Sequence, residues 1–201
     1  MKDISVKALA KINLGLDVVR KREDGYHEVR MVMQTIHLFD RLEISKNTSG
    51  EITMETNLSF LPTNENNLVY KAAKLLQDEF AIKDGVHVWL HKYIPVAAGM
   101  AGGSTDAAAV LYGMNQIFDL GLTREELMER GVKIGADVPY CIMRGTALAE
   151  GIGEKLSKLP PMVKCPVLIA KPQISVSTKF VYENLKLGSD MVHPDIDRLV
   201  A

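Results

Sequence analysis

Between Pro95 and Asp106 the chain reads Pro-Val-Ala-Ala-Gly-Met-Ala-Gly-Gly-Ser-Thr-Asp, a run of small residues that passes straight into an apolar helical pattern. That combination suits a phosphate. Without bulk at Ala97, Ala98, Gly99, Ala101, Gly102 and Gly103, the backbone can press against an anion and several N–H groups can converge on it. The helix expected from about Ser104 carries Ala107, Ala108, Val110, Leu111, Met114, Ile117 and Phe118 on its apolar face, and aims its unpaired first-turn N–H groups at the same spot. Ser104 and Thr105 add hydroxyls. The loop is not a Walker A loop, because Gly103 rather than Lys precedes Ser104, and its glycine spacing is not that of a dinucleotide fingerprint. On residues alone, the alternative is a tight strand-to-helix turn whose small residues serve close packing. A carboxylate, Asp137, sits in Gly135-Ala-Asp-Val-Pro139, where the proline restricts the backbone. It is suited to take a proton, or else to close a turn and cap local N–H groups.

These residues need elements to position them. Alternation at Ile4, Val6 and Ala8 and again at Ile12, Leu14 and Leu16 predicts two strand segments or one bent strand, with Lys11 and Asn13 on the face opposite the second set. A polar loop from Arg20 to Glu28 leads to a strand from Val29 to Ile44, and Ile52 and Met54 mark another. Helical spacing from Asn67 to Phe80 begins at an asparagine N-cap; Val86, Val88 and Leu90 form a strand that delivers the chain to the loop. Thr123 and Glu126 make a capping box for a further helix. Residues 145–149 and 166–171 read as strands and Ser177 to Leu185 as a short helix, with Pro160-Pro161 as the boundary between two structured parts.

Composition bounds the function. The 201 residues are 47% hydrophobic, enough for a sizeable core, and 24 basic against 25 acidic residues leave a net charge of −1, so no field recruits nucleic acid or an anionic membrane. The Arg20-Lys21-Arg22 run is followed at once by Glu23 and Asp24 and reads as a solvated loop. Cys141 and Cys165 lie in apolar surroundings without metal-ligand spacing, as buried thiols of a reducing compartment. No stretch has the length of a membrane span and the N-terminus is too charged for a signal peptide, so a cytoplasmic protein is expected.

Five segments in order, Ala10-Lys-Ile-Asn-Leu14, Asp24-Gly-Tyr-His27, the small-residue loop, Gly135-Ala-Asp-Val-Pro139 and Ala149-Glu-Gly-Ile-Gly-Glu154, make the chain resemble the GHMP kinases, the family of galactokinase, homoserine kinase and mevalonate kinase. Met100 stands where their loop usually has Leu, and Thr105 where it often has Ser. The resemblance implies an α+β fold: a two-layer N-terminal ATP-binding domain with a left-handed βαβ crossover over residues 1–160, and the start of a second α/β domain over 161–201. It implies ATP with Mg²⁺, the triphosphate held by Pro95, Val96, Ala97, Ala98, Gly99, Met100, Ala101, Gly102, Gly103, Ser104 and Thr105. Ser104 is a contact for the metal; no paired carboxylates mark its other ligands.

Within the family the chain is most similar to the branch that phosphorylates the 2-hydroxyl of a methylerythritol unit linked to cytidine diphosphate, in the non-mevalonate route to isoprenoid precursors. The resemblance makes Asp137 the base and Lys11 its ammonium partner, with Asn13 bonding the substrate hydroxyls or holding Lys11. On residues alone Lys11 reads as a solvated edge-strand lysine. Tyr26 would stack on cytosine and His27 bond its edge, while Thr178 and Tyr182, in Ser175-Val-Ser-Thr-Lys-Phe-Val-Tyr182, would complete the pocket; family members usually have Pro where Lys179 stands. The plainer readings are a polar glycine turn and helix packing. The family's third, Gly-rich motif is missing, so a shortened protein is expected, with apolar surface on residues 161–201 that favours a homodimer. Two other functions remain: another GHMP small-alcohol kinase without a cytosine pocket, or a non-catalytic nucleotide- or RNA-binding module of the same fold. An aromatic content of 6% and balanced charge oppose RNA.

Overall fold

One long strand, β2 (His27–Asn47), organises the molecule: Met31, Met33, Ile36, Leu42 and Ile44 keep it buried along its length, and both its edges are paired. On one edge runs β1 (Asp3–Lys21), antiparallel; on the other, β4 (Gly85–His91) pairs with residues 41–47 of β2 and β5 (Thr146–Glu150) with residues 31–34. The sheet is extended by β3 (Ile52–Thr56), parallel to β4 and joined to it through α1 (Leu68–Glu79), and by β6 (Lys155–Lys158), antiparallel to β5. The computed structural model describes residues 3–172, 174, 178–185, 187–188 and 191–201.

Four helices, α1, α2 (Gly102–Ile117), α3 (Arg124–Val132) and α4 (Val138–Met143), form a second layer, and the core lies between the layers. The central helix, α2, buries Ala107, Ala109, Val110, Leu111 and Met114. It approaches β2 so closely at Gly113 that a Cβ there would stand 2.4 Å from Ile44 Cδ1. Local signals set the helix ends. Asn67 accepts the Val69 N–H at 2.9 Å to start α1, and Thr123 and Glu126 form the reciprocal capping box of α3.

Several elements differ from expectation. β1 is one strand with three register irregularities rather than a regular alternation. Pairing passes from Leu9 opposite Phe39 to Lys11 opposite Thr35, so Ala10 faces three residues of β2; both Ala10 and Lys11 are buried. A second irregularity at Leu14 leaves Leu14 and Leu16 exposed while Asp17 is buried, which reverses the expected apolar face. Residues 166–171 form no strand, and Leu168 is 96% exposed: an apolar run becomes a strand only beside a partner, and none of the described residues pairs with it. Cys165, on the same extended stretch, is exposed rather than buried, whereas Cys141 is buried as expected. The expected short helix is α5 (Thr178–Asn184).

The last residues return to the sheet. In α6 (Ile196–Val200), Ile196 is buried, and Gly15 of β1 makes room for it. His193 Nδ1 meets Asp17 Oδ1 at 2.7 Å, and Arg30 donates to Asp197 at 2.7 Å.

Candidate active site

The small-residue loop leaves β4 through Lys92, Tyr93 and Ile94 and re-enters the fold as α2. Within it Ala97, Gly99 and Ala101 have φ of 53°, 70° and 54°, so every second residue is left-handed. Such alternation turns successive N–H groups toward one side, as an anion-binding nest requires. The helix starts two residues earlier than expected, at Gly102. Its N-cap, Ala101, has no side chain to accept a hydrogen bond, so the first-turn N–H groups of α2 are left open where those of α1 and α3 are capped. Pro95, Val96, Ala97, Gly99 and Gly103 are exposed, with Ala98, Ala101, Gly102 and Ser104 half-buried, so the stretch is not interior packing. It forms an open shelf. Shallow, open depressions of about 350 and 340 Å³ lie elsewhere, at His37, Leu38, Phe39, Arg41 and Tyr93 and at the turn between α2 and α3.

Two loop residues turn inward. Met100 is buried against Ala10, Ile36 and Ile94, and its carbonyl accepts the Lys11 N–H at 3.2 Å, so it ties the loop to β1 and leaves the shelf to its neighbours. Thr105 is buried, with its hydroxyl on the Cys141 thiol, and so adds no hydroxyl to the shelf. Burial raises that thiol above its ordinary pKa, which leaves it protonated and unreactive.

The base of the loop contains charges that the sequence reading did not single out. Lys92 is buried between Asp40 of β2 and Asp106 of α2, 2.9 Å from the latter; Asp40 also accepts the N–H groups of Tyr93 and Ile94, at 2.5 and 2.8 Å. Burial pushes Asp106 up to about 8, against the pull of Lys92 and with the help of Asp40. No sequence pattern joins residues 40, 92 and 106; a lysine directly after an apolar strand was the one available hint.

Lys11 and Asp137, distant in sequence, meet at 3.7 Å. The irregularity in β1 carries Lys11 inward, where it is 5% exposed and donates to Asn13 at 3.2 Å. Asp137 is the N-cap of α4 but makes no capping hydrogen bond, so its carboxylate, 32% exposed, is free to face Lys11 and solvent. Behind it, Tyr140 donates to the Gly145 carbonyl at 2.7 Å and shares 3.0 Å with the Thr35 hydroxyl, which fastens α4 to β2. The loop lies close by: a Cβ on Gly135 would stand 4.0 Å from Ser104 Oγ.

The turn at residues 22–26, between β1 and β2, presents Tyr26, 60% exposed, with Asp24 accepting its N–H at 3.1 Å. His27 and Tyr182 lie together, ring centroids 4.9 Å apart and tilted by 33°. Burial raises the Tyr182 phenol pKa, and the negative charge of Asp137 adds to this, which places the ring within electrostatic reach of that carboxylate. Thus Tyr182 links His27 to the side of the molecule that holds Asp137, Lys11 and Asn13. Ser175–Ser177 and the side chain of Thr178 lie outside the described residues.

Nest, open helix terminus and adjoining Lys–Asp pair are the parts of a small-molecule kinase. The GHMP kinases N-terminal domain matches residues 67–145, a span that takes in α1, β4, the loop and α2 to α4. The chain is 62% identical over 197 residues to the 4-diphosphocytidyl-2-C-methyl-D-erythritol kinase of Lachnoclostridium phytofermentans, covering 98% of itself and 68% of that protein. With the enzyme of that name from Lachnospira eligens it shares 59% over 200 residues, covering 100% and 69%. The crystal structure of a 4-(cytidine 5'-diphospho)-2C-methyl-D-erythritol kinase superposes with a TM-score of 0.79 at 33% identity, over 98% of this chain and 70% of that one. The chain belongs to the 4-diphosphocytidyl-2-C-methyl-D-erythritol kinase family.

Proposed function

We propose that the protein transfers the γ-phosphoryl group of ATP to the 2-hydroxyl of 4-diphosphocytidyl-2-C-methyl-D-erythritol, in the cytoplasm, as a step toward isoprenoid precursors. The observation that carries this reading is the 3.7 Å approach of Lys11 to an uncapped Asp137 beside the open N-terminus of α2. Phosphoryl transfer needs donor and acceptor in line, charge neutralised on the phosphates, and a proton taken from the attacking hydroxyl. In this reading the left-handed loop and the first-turn N–H groups of α2 hold the triphosphate, while Asp137 accepts the hydroxyl proton as the oxygen bonds to phosphorus and ADP leaves. Lys11 faces Asp137 and offsets charge on the attacking oxygen, and Asn13 holds Lys11 or bonds the substrate hydroxyls.

Mg²⁺ fits as a nucleotide-borne ion. Among the described residues no three His, Cys, Asp or Glu cluster, but an ion already held by phosphates needs only one or two protein oxygens, of which Ser104 would supply one. When bound, it neutralises charge on the phosphates. Tyr26, His27, Tyr182 and Thr178 take the cytosine end; a base stacked on an aromatic ring gains roughly 1–3 kcal/mol.

The test is transfer of label from γ-labelled ATP to the diphosphocytidyl substrate. Asp137→Asn should lower turnover by about 10²–10⁴-fold while ATP still binds, and CMP should compete with the substrate. Transfer that CMP leaves untouched would point to another small-alcohol kinase. Bound ATP with no transfer at all would leave a binding module.

A further inference from the structure

A buried carboxylate in α2 has no part in the chemistry above, yet it is bound into the foundation of the loop. Asp106 is 2% exposed; its Oδ2 holds Lys92 at 2.9 Å, and its Oδ1 has no hydrogen-bond partner. A half-satisfied buried carboxylate is a poor way to gain stability, because packed apolar residues serve as well or better. Its connections suggest another reason for its presence. Lys92 also pairs with Asp40, whose second oxygen takes the N–H groups of Tyr93 and Ile94, where the chain enters the loop. Asp106 lies in the second turn of α2, where the chain leaves it. Lys92 runs beneath the junction: a Cβ on Gly102 would stand 3.0 Å from its Nζ.

We propose that Asp106 is a positioning residue, which through Lys92 and Asp40 clamps the exit of the phosphate loop to its entrance and so sets the spacing of the N–H groups that hold the triphosphate. Both ends are thereby referred to one fixed point on β2, although the shelf between them is exposed. This rests on the reading of the loop as the ATP site.

The test compares Asp106→Asn, which keeps an oxygen for Lys92, with Asp106→Ala, which does not; Asp106→Ser replaces the alanine variant should that not fold. Asp106→Ala should raise the KM for ATP about tenfold or more, with the KM for the diphosphocytidyl substrate within about twofold, and Asp106→Asn should restore the ATP value to within about threefold. A purely structural role would cost melting temperature and active fraction without separating the two KM values, and that result overturns the proposal. Amide hydrogen exchange serves as the second readout. Asp106→Ala should speed exchange at residues 99–104 and leave α1 and α3 unchanged, whether or not ATP binds. If the wild-type protein binds no ATP, the functional reading falls while exchange still decides on the clamp; uniform exchange across all helices overturns it.

Discussion

Tyr140 is the largest buried side chain behind the candidate base, and its hydroxyl offers a measurement of how α4 is held. The protons in its network can be assigned by elimination. Tyr140 donates to the Gly145 carbonyl at 2.7 Å, so at its 3.0 Å contact with Thr35 the threonine must donate; the Thr35 oxygen in turn accepts the Gly145 N–H at 3.0 Å. The result is a closed ring of three hydrogen bonds between α4, β2 and the turn before β5. Tyr140→Phe removes two of them at nearly constant volume. The Gly145 carbonyl keeps the Thr35 N–H at 3.0 Å, and Gly145 is exposed, so no group is stranded in the core. The cost is then that of two neutral hydrogen bonds, about 1–3 kcal/mol, rather than the roughly 3–5 kcal/mol of the cavity left by Tyr140→Ala. A midpoint of thermal unfolding lowered by about 3–8 °C is expected for Phe, and a clearly larger drop for Ala. Since Asp137 is the N-cap of α4, Tyr140→Phe should also lower kcat by several-fold with the KM for ATP unchanged. A Tyr140→Phe variant as stable as the wild type would refute the ring, because the two hydrogen bonds would then contribute nothing.

Burial raises Asp106 from 3.8 to about 8, so the folded protein holds a proton there that the unfolded chain releases. Stability should fall as pH rises from about 4 to about 8 and level off above, and Asp106→Asn should flatten that slope in denaturant unfolding; a slope unchanged by the substitution would contradict the assignment. At Gly15 a Cβ would lie 2.6 Å from Leu199 Cδ1 and 3.0 Å from Ile196 Cδ1. Leu199 is half exposed and can turn aside, so Gly15→Ala should be mild, whereas Gly15→Val should detach α6, seen as faster amide exchange at residues 198–201 with the helical layer unchanged. Exposed Val163, Leu168, Ile174 and Val192 predict self-association, so the mass from light scattering should rise with concentration; a constant monomer mass rules it out.

Local chemistry was the legible part. Asn67 and the Thr123–Glu126 pair mark helix starts because a cap is a contact between near neighbours, and the left-handed loop is readable because small residues tolerate such a backbone. What stayed hidden depends on partners. The alternation Ile12, Leu14, Leu16 predicts a face that the irregularities against β2 reverse, and those exist only in the pairing. Successive helical residues point about 100° apart, so once α2 begins at Gly102, Ser104 and Thr105 cannot both face the loop. Asp40, Lys92 and Asp106 meet through three separate elements, and no spacing along the chain announces them.

Two alanines hold the left-handed conformation in the loop, at Ala97 and Ala101, where glycine would do so without steric cost. Each adds about 1–2 kcal/mol of tension. An alanine left to itself falls back to negative φ, so the loop keeps this shape only because its surroundings impose it, and glycine at either position would release the strain at the cost of a freer chain.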